Sequence, residues 1–395
     1  MRPSELSNQT PTELLTALHL NKSKEAVAKR FLELGMPGNK TEQYKHFSIK
    51  PLLQTDYTLV QAKQKELQTA GETLEIRDGV VTSVPDGVHV TFDTESSVDV
   101  EHYDALYYMG HLLSPQYIIV SIESDVNITI AHRLTMEQTL IPYRIIIKIA
   151  ENCQVQVYET FHTESSRGSL LLYGLDVHVN KESALTWLRN QSAEDAEAVV
   201  IGSHHYDIDE HAKLTIQTFD FGSGTAMHLY NNDLAAHTET KVSHLLFASD
   251  KAHRGNVVIL RHNGRSATSR HQAKSILKDN AIGIFDGRIQ VNHNAKQTKT
   301  SQNSKAILLN NRAFMKSKPQ LEIYIDELEA SHGSTIGQLD EAALFYLCSR
   351  GISTDEARKM LILAFANEMI EEVQDTTLSE QIRDDFESAY HLEKG

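Results

Sequence analysis

The chain reads as a mainly β core held between two α-helical ends, and three observations predict this. From about Gly79 to Thr335, short runs of β-branched and apolar residues recur between turn residues. No helical pattern of about 10–15 residues recurs between those runs, which argues against a parallel sheet of alternating strands and helices. Both ends, by contrast, carry apolar residues at helical spacing.

At the N-terminal end, to about Gln68, Thr12 ahead of Leu14, Leu15, Ala17 and Leu18 looks like a helix start. Ala26, Val27, Phe31 and Leu34 then share one helical face. Gly35 tolerates a left-handed cap and Pro37 cannot continue the backbone ladder, so the pattern stops there.

In the core, Tyr117-Ile118-Ile119-Val120, Val155-Gln156-Val157-Tyr158, Leu214-Thr215-Ile216 and Ile289-Gln290-Val291 are representative strand runs. Many alternate apolar with polar, as a half-buried strand does. A sandwich, a barrel and a β-helix all fit, because no residue repeat is visible. His244, His253, His262 and His271 fall nine apart, so alternate members lie 18 apart, a spacing that would suit successive coils of a solenoid.

The last sixty residues return to helix. Asp340 caps a stripe of Ala343, Leu344, Leu347 and Cys348, which places Cys348 on a buried face and ends at Gly351. Ser353 with Glu356 is a capping-box pattern, and so is Thr377 with Glu380. Met360 to Ala366 is apolar on nearly every side, and such a helix must be covered on more than one face.

Composition narrows the function. The 395 residues carry 38 Lys and Arg against 53 Asp and Glu, a formal charge of −15. From Gln320 to Gly395 there are 17 acidic and 5 basic residues, so most of the charge sits at the C-terminal end. An acidic face can steer a basic protein partner, whereas nucleic acid would be repelled. No apolar run reaches the roughly 18 residues of a membrane helix, and the first residues lack the apolar stretch of a signal peptide. Two cysteines, Cys153 and Cys348, cannot form a disulfide framework or supply four thiolates to an iron–sulfur cluster. A cytoplasmic location fits.

Catalytic motifs are absent from the sequence: there is no phosphate-cradling G-x-x-x-x-G-K-[ST] loop, no G-x-S-x-G elbow and no H-E-x-x-H helix. No catalytic residue is therefore assigned, and the expectation is a protein that is not an enzyme. Ten of the twenty histidines fall between Gly202 and Ala295, and His204, His205, His211 and His293 are candidate metal ligands. His332 is the better candidate, because Ser331-His332-Gly333-Ser334-Thr335 follows a strand run and surrounds the imidazole with hydroxyls and glycine.

From Lys318 to Asp340 and on through Leu344-Phe345-Tyr346-Leu347-Cys348-Ser349-Arg350-Gly351-Ile352, the chain closely resembles the C-terminal signature of the SufB/SufD family. The family pattern reads P-x-L-E-I, then S-H-G-A-T-x-G, then F-Y-L-x-S-R-G-I; here Ser334 replaces the alanine and Ile336 a valine. Gln302, Leu308-Leu309 and Ala313 also fit. Near the start, Leu34-Gly35-Met36-Pro37, Lys40, Glu42 and Tyr44-Lys45 resemble the family's G-L-P-x-x-x-x-E-x-W/Y-K element. The middle matches in strand pattern only.

The resemblance implies a right-handed parallel β-helix flanked by helical regions, with boundaries at 1–78, 79–337 and 338–395. It implies a scaffold subunit for iron–sulfur cluster assembly and iron acquisition, paired through its β-helix with a SufB-like subunit. It also implies that a SufC-type ABC ATPase docks on the C-terminal helices, where Met360, Leu361, Leu363, Ala364 and Phe365 are the expected contacts. The SufD type is the closer match, since the core has no cysteine after Cys153; Ala330 departs from that type, standing where many SufD-like chains have a cysteine, so no thiol ligand comes from that position. His332 corresponds to the SufD histidine implicated in cluster assembly at the SufB interface. No cofactor is then bound stably by the chain alone; a transient cluster or iron sits at the SufB interface, and flavin is associated with such complexes. A cysteine desulfurase system reaches the chain through the complex, and the isolated chain can form a homodimer. The rival readings are a SufB-like or homodimeric primary scaffold, and a β-helix carbohydrate-processing enzyme. The first lacks thiolates, and the second lacks evident paired carboxylates.

Overall fold

In the computed structural model, the described residues are all except 1, 39–43, 45, 46, 48, 65–69, 96, 97, 99–103, 165, 194–196 and 392–395. Lys40, Glu42 and Lys45 of the N-terminal family element lie outside the described residues.

Two sheets face each other along the length of a parallel β-helix, and the chain alternates between them. One runs from His89–Asp93 and Tyr117–Ile122, through Thr139–Ile149, Leu170–Val179, Val199–Ile208, Thr225–Leu234, His253–His262 and Ile282–Val291, to Phe314–Ile323. The other includes Thr73–Arg77, Val126–Leu134, Gln154–Thr163, Ala184–Ala193, Lys213–Asp220, Glu239–Ala248, Thr268–Leu277 and Thr298–Leu308, and ends at Leu328–Gly337. All of these pair in parallel except His89–Asp93 with Tyr117–Ile122.

The coil step explains why no repeat is visible. Thr225 pairs with His253 and His253 with Ile282, steps of 28 and 29 residues, whereas Val199 to Thr225 is 26 and Ile282 to Phe314 is 32. The spacing of 18 between alternate histidines is therefore not a coil period. It carries the chain from one sheet to the other: His244 and His271 lie on the second sheet, His253 and His262 on the first.

The corners are built from strained backbone. Asn152, Glu182, His211, His237 and Gln297 all have φ of 61° and Ser266 has 56°, left-handed values uncommon for residues other than glycine. Each donates its N–H to the next coil, as from Glu182 to the Glu210 carbonyl at 3.3 Å and from His237 to the Arg265 carbonyl at 2.9 Å. The inter-coil hydrogen bond offsets the strain, and one corner ladder forms.

Helices α1 (Pro11–Ala17), α2 (Glu25–Leu34) and α3 (Lys50–Gln54) precede the β-helix, and α4 (Ala105–Leu113) interrupts it. The cap of α1 is Thr10, whose hydroxyl accepts from the Glu13 N–H, rather than Thr12. Gly35 ends α2 with φ of 75°. All nine residues of α4 are buried between the other helices and the outer face of the first sheet, where Leu140, Leu170, Leu172, Ile201 and Met227 meet them. Asp104 caps α4 and accepts a hydrogen bond from the buried Tyr44 hydroxyl at 2.5 Å.

Helices α5 (Glu341–Ser349), α6 (Thr354–Ile370) and α7 (Thr376–His391) close the chain. Asp340 and Ser353 cap α5 and α6. The α7 cap is Asp375, which accepts from the Leu378 N–H at 3.0 Å, so the Thr377–Glu380 pattern lies two residues too late. Ile362, Ala366, Met369 and Ile370 of α6 and Ile382 and Phe386 of α7 pack on Leu188, Phe219, Leu245, Phe247 and Ile276 of the second sheet. Asn190 and Ser192 also bind Asp385, at 2.6 and 3.1 Å.

Candidate functional site

The β-helix is open at its C-terminal end. Strands Phe314–Ile323 and Leu328–Gly337 are each last in their sheet, so one edge of each has no neighbouring strand among the described residues. Apolar side chains stay exposed there: Phe314 50%, Ile323 41%, Tyr324 50% and Ile336 44%. Long uncovered edges of this kind are templates for pairing with another chain, and solenoids normally close their ends with a polar cap.

His332 stands in that opening. It pairs in register with Gln302, and Gln302 with His271, both of which point into the β-helix interior and are almost fully buried. With a side-chain period of two, His332 occupies the interior-facing position of the last coil. It is exposed because no further coil follows among the described residues. On the same face, the Ser334 hydroxyl donates to Ser317 at 2.8 Å and Ser317 to Ser304 at 3.1 Å. Neither nearby glycine is required by this chain's own packing. An added Cβ at Gly337 meets nothing within 4 Å, and at Gly333 only Asn303 Oδ1 at 3.6 Å.

Behind this mouth lies a file of buried polar side chains that the sequence did not reveal as one. Gln302 Nε2 is 3.1 Å from His271 Nδ1, and His244 Nδ1 is 2.6 Å from the Thr218 hydroxyl. Deeper in, His204 Nε2 is 3.2 Å from His228 Nδ1, and His228 Nε2 is 2.9 Å from Gln191 Oε1. Deepest is Glu159, held by His132 Nε2 at 2.9 Å and Trp187 Nε1 at 2.7 Å. Burial drives His204 and His271 down to about 3 and His262 to about 4, and holds His228 and His244 well below the usual range. These rings are neutral at pH 7. Burial alone would raise the Glu159 carboxyl, but the hydrogen bond and charge of His132, with Arg189, pull it down to about 2. Two glycines make room for the file. A Cβ at Gly202 would lie 2.4 Å from His204 Nε2, and one at Gly287 would lie 1.7 Å from Gln302 Nε2.

The other candidate ligands are scattered. His204 points inward and His205 outward, where its Nε2 lies 3.0 Å from Asp233 Oδ2. His211 is an exposed corner residue stacked on His237 at 4.7 Å, and His293 lies against Tyr324 at 5.5 Å. Among the described residues, no group of three or more His, Cys, Asp or Glu side chains could hold a metal ion. Cys153 is buried, and burial raises its thiol. Cys348 is only half-buried, because α5 buries none of its residues against the protein; the expectation of a buried stripe there is corrected.

The C-terminal docking residues divide. Met360 is 42% exposed, Ala364 is exposed, and Leu361 is half-buried. Leu363 and Phe365 pack toward the β-helix, where Lys274 Nζ sits 4.4 Å from the Phe365 ring and binds Glu368 and, at 2.8 Å, the Phe365 carbonyl. The larger exposed apolar surface is on α5, at Phe345 (75%) and Tyr346 (57%).

Residues 132–365, more than half of the chain, match the model described as "SUF system FeS cluster assembly, SufBD core domain", and residues 8–76 match "SufBD protein N-terminal region". The chain belongs to the SufBD family. Among relatives of this SufBD chain, the "Iron-sulfur cluster assembly protein SufD" of Escherichia coli is 39% identical over 123 residues, covering 31% of this chain and 29% of the relative. "Protein ABCI7, chloroplastic" of Arabidopsis thaliana is 26% identical over 243 residues, covering 61% and 51%. The SufD protein of Bacillus subtilis is 30% identical over 112 residues, covering 28% and 26%. The chain thus spans about half or less of the length of these relatives. Among the described residues, no helix is long and apolar enough to cross a membrane.

Proposed function

We propose that this chain is a SufD-type scaffold subunit in iron–sulfur cluster assembly, working in the cytoplasm without catalysis of its own. The observation that carries this is the uncapped end of the β-helix, with His332 in its interior-facing column and Phe314, Ile323, Tyr324 and Ile336 exposed around it. Its occupant is a SufB-like β-helix whose edge strands continue the two sheets, so that the joint buries these apolar side chains. His332 then lies between two subunits, where a neutral imidazole can take iron or a nascent cluster as cargo, with the thiolates supplied by the partner. No cofactor is held stably by this subunit alone.

A SufC-type ATPase docks on the C-terminal helices, with Phe345 and Tyr346 of α5 added to Met360 and Leu361 of α6. ATP-driven movement of that partner, acting through α6 and α7 packed on the second sheet, would bias the two states of the joint.

Copurification of the tagged chain with its partners tests the assembly, and His332→Ala tests the joint. The variant is expected to assemble normally and to mature little cluster in cells; normal assembly with normal cluster output would remove His332 from the site.

A further inference from the structure

Far from the open end, a cavity of about 340 Å³ lies among the N-terminal elements. Its walls come from the end of α1, the 3-10 turn Lys22–Lys24, the segment after strand Thr58–Leu59, and Thr94. Leu18, Leu20 and Leu59 make it partly apolar, and the polar groups facing it are Lys24, Lys63, His19, Asn21 and Gln61. Among the described residues, no Asp or Glu lines it, although the chain carries −15 overall.

Lys24 is 4% exposed. Its ammonium donates to the His111 and Ser114 carbonyls, each at 2.7 Å, and sits 5.1 Å from the centre of the Tyr117 ring. An ammonium has three N–H groups, so one is left over. A lysine that only held the end of α4 would not need a second cation facing it, yet Lys63 faces it and raises the cost of its charge. Around it, Asn21 Nδ2 is held by the Thr94 hydroxyl at 3.2 Å, and His19 keeps a left-handed φ of 54°. An amphipathic cavity of this size with convergent, uncompensated positive groups has the make-up of a small-molecule site.

We propose that this cavity binds a small organic anion, its carboxylate or phosphate group seated between the Lys24 and Lys63 ammonium groups and its short apolar body against Leu18, Leu20 and Leu59. The site is independent of the β-helix opening. Burial and the charge of Lys63 lower Lys24 to about 8, so the site is charged at neutral pH and discharges as pH rises through 8. The groups that face Lys24 are Lys63, the Tyr117 ring and His111 of α4, whose ring burial drives down to about 3 and is neutral in this range.

The test uses the full chain labelled with 13C-lysine, titrated with hexanoate, hexyl phosphate and, as the cation with the same apolar body, hexylamine. An anion that binds moves the Lys24 Cε titration to higher pH, binds less tightly above pH 8, and loses about tenfold in affinity in Lys63→Ala, an exposed substitution that leaves the fold intact. Response to hexanoate alone or to hexyl phosphate alone identifies the head group. An unmoved Lys24 titration with both anions, equal binding by Lys63→Ala, or a matching response to hexylamine would overturn the proposal.

Discussion

Lowering the pH from 7.5 to 5.5 should destabilise this protein steeply, and the cause is its interior imidazoles. His111, His204 and His271 are driven to about 3, His262 to about 4, and His228 and His244 lie well below their usual value, in each case chiefly through burial. In the unfolded chain each returns to about 6.5, so over this range the unfolded state binds the proton and the folded state does not. Their contribution is fully present above about pH 6.5 and is lost as pH falls below it. Integrated from pH 7.5 to 5.5, one such histidine costs about 1.4 kcal/mol, and six together cost on the order of 8 kcal/mol. That is comparable with the whole stability of an ordinary domain, about 5–15 kcal/mol. Glu159 and Asp176, whose depressed values act in the same direction, add little here, because they matter only below the ordinary carboxylate range. The assay is proton uptake on urea unfolding at pH 5.5, measured with a pH-stat, which does not depend on two-state behaviour. Uptake of about five to six protons is expected from these groups, falling by about one in His271→Gln. Uptake of fewer than about two protons would refute the neutral-imidazole interior.

Three further outcomes follow from the same geometry. His332→Ala in the isolated chain should change the unfolding free energy, read by urea denaturation, by no more than about 0.5 kcal/mol, since the side chain is exposed, so a cluster defect in cells cannot come from misfolding. Phe345→Ala with Tyr346→Ala should weaken ATPase-subunit binding in a pull-down while leaving thermal stability unchanged; truncation at Gly351 is the wrong experiment, because losing α6 and α7 bares the apolar face of the second sheet. Gly287→Ala should cost about 1–3 kcal/mol by urea denaturation, because its Cβ displaces the Gln302 amide from His271, and a change below about 0.5 kcal/mol would mean that Gln302 moves freely.

How far the fold was legible depended on what covers each sheet. Gln154–Thr163 alternates exposed and buried over its first residues and is readable as a strand from Val155-Gln156-Val157. Leu170–Val179 is buried on both faces, because the N-terminal helices cover its outer side, and there the period of two disappears. The solenoid was hidden by corner length: steps between 26 and 32 residues leave no fixed period in the sequence. Helix α4 escaped notice because nine consecutive buried residues carry no amphipathic signal.

The site was legible in kind but not in place. His332 could be singled out from its neighbours, but its position at the end of an interior column follows only from the register with Gln302 and His271, residues 30 and 61 positions earlier. His204 and His205, adjacent in sequence, suggest a chelating pair; the pleat sends them to opposite faces and dissolves it. The interior itself misled most. A lumen of leucine and isoleucine would have read as core, whereas one carrying histidine, arginine and glutamine reads as surface. Those polar groups can be buried because the imidazoles of His204, His228, His244 and His271 give up their charge and take a hydroxyl, amide or second imidazole as partner, and such pairs form only when coils stack. Among the described residues the last coil has nothing stacked beyond it, and that is why His332, in the same column, is the member left exposed.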